Sequence, residues 1–119
     1  MKFEHIETKE YNHFIISENK LTSVYAPNCK TEIINLVNQN KSIIFDMKNV
    51  DYIDSSGLSC FLIGDRLSKG KGYKFVMCNC NDNAKKIIKL TKLDTILTII
   101  PSLNEAKDYI LFDELEKSL

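Results

Sequence analysis

The segments Ser42-Ile43-Ile44-Phe45-Asp46-Met47 and Asp54-Ser55-Ser56-Gly57-Leu58 decide the fold of this chain. The first is a short apolar run typical of a buried strand, and the second has the residues of a helix start. Ser55 is predicted to be the N-cap, because its hydroxyl can accept a hydrogen bond from a free amide of the first turn. Ser56 then lies in that turn, where backbone amides and the helix dipole favour added negative charge. Gly57 has no side chain, which would let a partner approach its backbone. The pattern indicates a phosphate-bearing serine on a surface that another protein binds.

Strands and helices alternate along the rest of the chain, which predicts an α/β fold. The sheet is expected to be mixed and largely parallel, with about five strands and about four helices, since the first two strands are joined too tightly to be parallel. The predicted strands are Lys2–Thr8, His13–Glu18, Ile43–Asp46, Lys74–Cys80 and Ile96–Ile100, with Lys20–Tyr25 as an extended connection. The predicted helices run from Pro27 to about Asn38, from the serines to Gly70, from Asn81 or Asp82 onward, and from the capping box at Ser102 onward.

Apolar spacing predicts which side of each helix faces the sheet. The residues expected to face the core include Leu58, Phe61, Leu62 and Leu67 of the second helix and Ala106, Ile110 and Leu115 of the last. Gly64 is expected to allow close packing of the second helix on the sheet.

Beyond the serine motif, three segments resemble the STAS family, the bacterial anti-sigma factor antagonists: Leu21–Pro27, Asp46–Ile53 and Thr91–Asp94. The last is similar to the family's TGLD-type turn, although Lys92 stands where many members carry glycine. The resemblance spans nearly the whole chain and implies a single STAS domain over residues 1–119. It also implies that Ser56 is phosphorylated by an anti-sigma factor serine kinase and dephosphorylated by a phosphatase.

The same resemblance places Ser23 and Tyr25 beside the serine loop. The partner-binding surface implied in this way consists of Ser23, Tyr25, Asp54, Ser55, Ser56 and Gly57. Four of these residues also have a plainer structural interpretation. Ser55 and Ser56 are good helix starts in any protein, and Tyr25 can fill the space between helix and sheet. Asp54 can be a turn residue or capping aid, can orient Ser56, or can repel its phosphate.

Asp46, Asp51 and Asp54 form an acidic cluster in the sequence, which raises the alternative of a metal-binding receiver domain. That family needs a lysine at the end of the last strand, where this chain has Ile99-Ile100-Pro101. A serine hydrolase would need a G-x-S-x-G elbow and a histidine base, and neither is indicated around Ser56. No catalytic residue, metal site or cofactor is therefore predicted, and the chain is not expected to be an enzyme.

Four cysteines occur, namely Cys29, Cys60, Cys78 and Cys80. Cys78 and Cys80 are expected on one face of a strand, where a metal pair is conceivable. No further ligand is expected nearby, so buried free thiols are the favoured interpretation.

The composition limits the classes of partner. The 119 residues carry 16 acidic and 16 basic side chains, and Arg66 is the only arginine. Nucleic-acid binders usually have a basic excess, so a nucleic-acid partner is not expected. No apolar run approaches the ~18 residues of a membrane span, and the expected location is the cytoplasm. The expected function is anti-sigma factor antagonism by partner switching. The alternative is a STAS scaffold or an accessory domain of a transport or signalling complex, never phosphorylated.

Overall fold

A computed structural model describes residues 1–119 and confirms the predicted mixed α/β architecture. The main sheet has five strands, in the order β1-β2-β4-β6-β7. Strand β1 runs antiparallel to β2, and every other pairing in this sheet is parallel. The strands are β1 (Phe3–Glu7), β2 (Tyr11–Ile16), β3 (Lys20–Leu21), β4 (Ser42–Asp46), β5 (Tyr52–Ile53), β6 (Phe75–Cys78) and β7 (Thr98–Ile100). The helices are α1 (Ala26–Val37), α2 (Ser55–Gly70), α3 (Asp82–Leu90) and α4 (Leu103–Lys117).

The two faces of the sheet are covered unequally. Helices α1, α2 and α3 pack on one face and enclose the larger core, which contains the buried ring of Phe45. The rings of Phe14, Phe61 and Phe75 lie within 5.1–6.0 Å of that ring, centroid to centroid. Helix α4 alone covers the other face, through Ala106 and Ile110. The serine loop therefore belongs to the three-helix side.

Two leucines predicted to face the core are exposed instead. Leu67 is 36% exposed and Leu115 is 58% exposed. The buried position of α2 next to Leu67 is Ser68, about 100° away around the helix. Leu115 follows the buried Ile110 by five residues, which rotates it about 140° from the sheet. Both predictions were wrong because they rested on the apolar character of the side chain. The position of a residue around the helix axis determines whether it is buried.

Close packing by Gly64 is confirmed. A Cβ added at Gly64 would lie 2.5 Å from the ring of Phe75, so only glycine allows α2 this close to β6. Strand β6 itself ends at Cys78, earlier than predicted. Asn79 follows with a positive φ of 57°, and this turn breaks the alternation of side chains. As a result Cys78 packs under α4 while Cys80 packs in the larger core, so the prediction that they share a face was wrong.

The chain before β7 also differs from the prediction. Leu93–Thr95 forms a single 3-10 turn, so β7 begins at Thr98 and not at Ile96. Lys92 opens this turn in the left-handed conformation, with φ 62°. Glycine adopts that conformation at no steric cost, whereas lysine adopts it under strain, so the turn keeps a backbone that glycine would favour.

Candidate functional site

The serine loop is tied to the chain ahead of α1 by a two-residue ladder that the sequence did not reveal. Strands β3 and β5 pair in parallel, Lys20 with Tyr52 and Leu21 with Ile53. Two-residue strands carry too little pattern to be recognised from sequence. The ladder brings the segment predicted as an extended connection against the loop that carries the serines.

Asp54 is the N-cap of α2, which corrects the assignment of that role to Ser55. Its Oδ1 accepts a hydrogen bond from the backbone N–H of Gly57, at 3.0 Å. Its Oδ2 accepts a second one from the backbone N–H of Ser23, at 3.1 Å. An ionised acceptor at a helix N-terminus is favoured by the helix dipole, so one carboxylate both starts α2 and holds the Ser23 segment.

Gly57 is buried by its own chain, contrary to the expectation that its backbone would be open to a partner. A Cβ at this position would lie 2.4 Å from the carbonyl oxygen of Leu21 and 2.7 Å from Cγ2 of Ile53. The glycine therefore permits α2 to begin directly against the β3–β5 ladder. Its contribution to the site is to set the position of the helix start.

The two serines occupy the first turn with different exposure. Ser55 is exposed, whereas Ser56 is half-buried. The carbonyl oxygen of Ser56 accepts hydrogen bonds from the hydroxyl of Ser59, at 2.6 Å, and from the thiol of Cys60, at 3.4 Å. The same thiol is also 3.4 Å from the carbonyl oxygen of Ala26, which links the first turns of α1 and α2. These contacts hold the backbone at Ser56, and the residue is partly exposed.

Tyr25 and Ser23 lie on the segment that approaches this turn. Ser23 is exposed. Tyr25 is half-buried and packs against the larger core at the start of α1, where it makes no side-chain capping bond. The structure thus brings Ser23, Asp54, Ser55 and Ser56 to one end of the sheet, and gives Tyr25 a packing role beside them.

The acidic cluster of the sequence is dispersed in the structure. Asp54 is committed to the helix cap, and Asp51 accepts a hydrogen bond from the side chain of Asn81 at 3.0 Å. Asp46 is buried at the end of β4, 1% exposed. No group of three His, Cys, Asp or Glu side chains is arranged to hold a metal ion. The three carboxylates thus have separate partners in the structure and do not form one cluster.

Asp46 instead forms a buried polar network that the sequence analysis missed. Its Oδ2 lies 2.9 Å from Nε2 of His13. Its Oδ1 accepts hydrogen bonds from the Asn79 side chain at 3.1 Å and from the backbone N–H of Lys48 at 3.0 Å. Burial opposes the charged form, but these hydrogen bonds outweigh it and hold the pKa of Asp46 below its ordinary value. The network crosses β2 and β4, so no local sequence signal marks it.

The cysteines are buried free thiols, as predicted. Burial raises the pKa of Cys78 to about 12 and that of Cys80 to about 11. A thiol must lose its proton to act as a metal ligand or a nucleophile, and these two resist that loss.

Comparison with known proteins identifies the family of this chain. The STAS domain model matches residues 5–106. The chain therefore belongs to the STAS domain family, and the resemblance stated from the sequence is confirmed.

Three solved structures illustrate the range of its relatives. An anti-sigma factor antagonist from Mycobacterium paratuberculosis has a TM-score of 0.80 at 19% identity, over 92% of this chain and 92% of that one. The Bacillus cell fate determinant SpoIIAA in its phosphorylated form has a TM-score of 0.69 at 18% identity, over 92% and 99%. A sulfate transporter family protein from Wolinella succinogenes has a TM-score of 0.75 at 12% identity, over 96% and 93%. At these identities the likeness shows a shared fold.

None of the helices is both long and apolar enough to cross a lipid bilayer.

Proposed function

We propose that this chain is an anti-sigma factor antagonist that acts by partner switching in the cytoplasm. In this scheme the unphosphorylated form binds an anti-sigma factor of the serine-kinase type and frees a sigma factor. Phosphorylation of Ser56 ends that binding, and a phosphatase restores it. The kinase supplies the nucleotide, so the chain needs neither a cofactor nor catalytic residues of its own.

The observation that carries the proposal is the placement of Ser56 in the first turn of α2. The residue is partly exposed, while Asp54 and Gly57 fix the helix start on either side of it. A structural neighbour from Bacillus is described in a phosphorylated form, which supports a phosphate on this fold. Ser55 shares this turn and is more exposed. Ser56 is chosen because it matches by position the serine that the STAS resemblance implies is phosphorylated.

Charge explains how one phosphate can end binding without unfolding the protein. A phosphoserine carries about −1.5 to −2 charges near neutral pH. At a partner surface, a unit charge ~4 Å from a like charge costs roughly 4 kcal/mol at an effective dielectric of about 20. That cost corresponds to about a thousandfold loss of affinity. In the free protein the helix N-terminus offsets part of the repulsion from Asp54, by up to ~1–2 kcal/mol.

The proposed partner surface comprises Ser23, Tyr25, Asp54, Ser55, Ser56 and Gly57. Ser23, Ser55 and Ser56 supply its accessible hydroxyls, and Asp54 holds their segments together. Tyr25 borders the surface from the start of α1. Gly57 is included because its lack of a side chain allows the backbone of this turn to take its position.

The test compares single substitutions in the two adjacent serines, with an anti-sigma factor kinase from the same genome as the titrant. Ser56→Ala is expected to bind the kinase as tightly as the wild type and to resist phosphorylation. Ser56→Asp is expected to stay folded, with a melting temperature near that of the wild type, yet to bind much more weakly. Ser55→Asp adds the same charge at the neighbouring serine of the same surface, and it is expected to weaken binding less than Ser56→Asp does. Equal affinities of Ser56→Ala and Ser56→Asp in titration calorimetry would refute the mechanism.

The second candidate function is that of an accessory or scaffold domain whose serine is never phosphorylated. The observation in its favour is the likeness to a sulfate transporter family protein, over 96% of this chain. Intact-mass analysis of the protein isolated from its own cells separates the two functions. A reversible phosphate adduct, absent from Ser56→Ala, supports the switch, and its absence under all growth conditions supports the accessory role.

A further inference from the structure

The outward side of α4 combines exposed aromatic rings with carboxylates. A groove of about 580 Å³ lies between α4 and the end of β7, which is the last strand at this edge of the sheet. Tyr109 and Phe112 form part of its wall, and Phe112 is 62% exposed. Single exposed apolar side chains are common on proteins, so the distinguishing feature of this groove is the charge around the rings.

The groove is acidic, although the chain as a whole has a formal net charge of zero. Four carboxylates and one lysine line it, namely Glu105, Asp108, Asp113, Glu116 and Lys74. Lys74 lies 3.9 Å from Asp113. Asp108 and Glu116 are exposed and form no ion pair within the chain. They stand four residues before and after Phe112, so the three side chains lie along one side of α4. These three residues and Tyr109 are the acidic groove.

Helix α3 presents the opposite charge to solvent. Lys85, Lys86 and Lys89 are exposed, and none of them forms an ion pair within the chain. Leu90 lies beside them and is 73% exposed, on the side of α3 that points away from the larger core. These four residues are the basic face. Like the acidic groove, it places unpaired charges around an exposed apolar side chain.

The two surfaces lie on opposite faces of the sheet. Helix α3 packs with α1 and α2 in the larger core, whereas α4 covers the other face. The acidic groove and the basic face therefore point away from each other within one molecule, and they can meet when two copies come together head to tail. Opposite charges at such a contact speed the encounter and fix its orientation, and the apolar side chains lose contact with water.

We propose that the acidic groove of one copy binds the basic face of a second copy, so that the protein self-associates head to tail. Phe112 packs against Leu90 of the second copy, and the lysines beside Leu90 pair with Asp108 and Glu116. A single helix in a single groove buries little surface, so the contact is weak and reversible, with a dissociation constant on the order of 100 μM. The acidic groove is on the face of the sheet opposite α2, and the proposal does not depend on phosphorylation of Ser56.

Sedimentation velocity of the full chain tests the proposal. A head-to-tail contact leaves one unpaired surface at each end, so assemblies grow beyond a dimer or close into rings. At ~0.05 M salt, the average mass is expected to exceed that of a dimer as the protein concentration rises from ~10 μM to ~1 mM. At ~1 M salt, where the screening length falls to about 3 Å, association is expected to weaken at least tenfold. A chain that stays monomeric would overturn the proposal, whether or not a basic helix of another protein binds the groove. An assembly that does not respond to salt would also overturn it.

Matched substitutions connect self-association to the two surfaces. The double variant Asp108→Asn, Glu116→Gln is expected to associate at least about tenfold more weakly than the wild type. Glu4→Lys, at an exposed position of β1, changes the net charge by the same amount and is expected to associate like the wild type. The quadruple variant Asp108→Lys, Glu116→Lys, Lys85→Glu, Lys89→Glu reverses both surfaces at zero net charge, and it is expected to regain salt-sensitive association. Undiminished association of the double variant, or a folded quadruple variant that stays monomeric, would refute the pairing of these surfaces.

Discussion

Gly57→Ala tests whether the start of α2 is set by direct contact with the β3–β5 ladder. The added methyl group would lie 2.4 Å from the carbonyl oxygen of Leu21, where ordinary contacts begin at 3.4 Å. The two groups must therefore separate by about 1 Å. Neither is the end of a flexible side chain, because that carbonyl also accepts the backbone N–H of Asp54, at 3.3 Å. The movement must separate β3 from the start of α2.

The cost can be worked out from these contacts. Overpacking of this kind costs about 1–3 kcal/mol, and weakening the hydrogen bond from Asp54 adds about 0.5–1.5 kcal/mol. The intrinsic preference of a helix for alanine over glycine offsets up to about 1 kcal/mol of this loss in unfolding free energy. The net expectation is a loss of about 0.5–4.5 kcal/mol from a total unfolding free energy of about 5–15 kcal/mol.

Urea denaturation followed by circular dichroism measures this loss, with Gly70→Ala as the control. Gly70 ends the same helix, and a Cβ added there meets nothing within 4 Å. The control is expected to be neutral or to stabilise the protein by up to about 1 kcal/mol. The same substitution should thus have opposite signs at the two ends of α2. If Gly57→Ala were as stable as Gly70→Ala, the inference that Leu21 fixes the helix start would be refuted.

Three further predictions concern the polar contacts and the thiols. Asp54→Ala removes the N-cap of α2 and is expected to cost about 1–2 kcal/mol of unfolding free energy, measured by urea denaturation; no change would contradict its capping role. The pKa of Asp46 in the folded protein lies below its ordinary value of 3.8. The ionised carboxylate therefore stabilises the fold above pH 3.8, and this stabilisation is lost as the pH falls through the folded-state pKa. The difference in unfolding free energy between the wild type and Asp46→Asn should shrink below pH 3.8, and a constant difference in denaturation at several pH values would contradict the prediction. The double variant Cys78→Ser, Cys80→Ser is expected to be less stable than the wild type and to contain no less metal by elemental analysis. Stoichiometric zinc in the wild type that is lost in the variant would overturn the assignment of these cysteines as free thiols.

Much of the fold could be predicted because it depends on local patterns. Apolar runs such as Ile43–Asp46 are too short for helices and too apolar for exposed loops, and their alternation with helical segments leaves few topologies. The capping box at Ser102 correctly marked the start of α4, because both of its hydrogen bonds lie within four residues. The same locality explains why the serine motif could be found and placed at a helix start.

The sequence alone thus determined the order of the elements, the fold class and the position of Ser56 in the first turn of α2. Only the tertiary structure decided which residue caps that helix, because the carboxylate of Asp54 is positioned by Ser23, which is distant in the chain. It also decided that Gly57 is buried against Leu21, and that Asp46 pairs with His13 and not with the other acidic residues. Each of these contacts joins segments about 30 or more residues apart, and their geometry depends on how helices and strands pack in three dimensions. A sequence pattern reports the periodicity of one segment, and it carries no information about the distance between two segments.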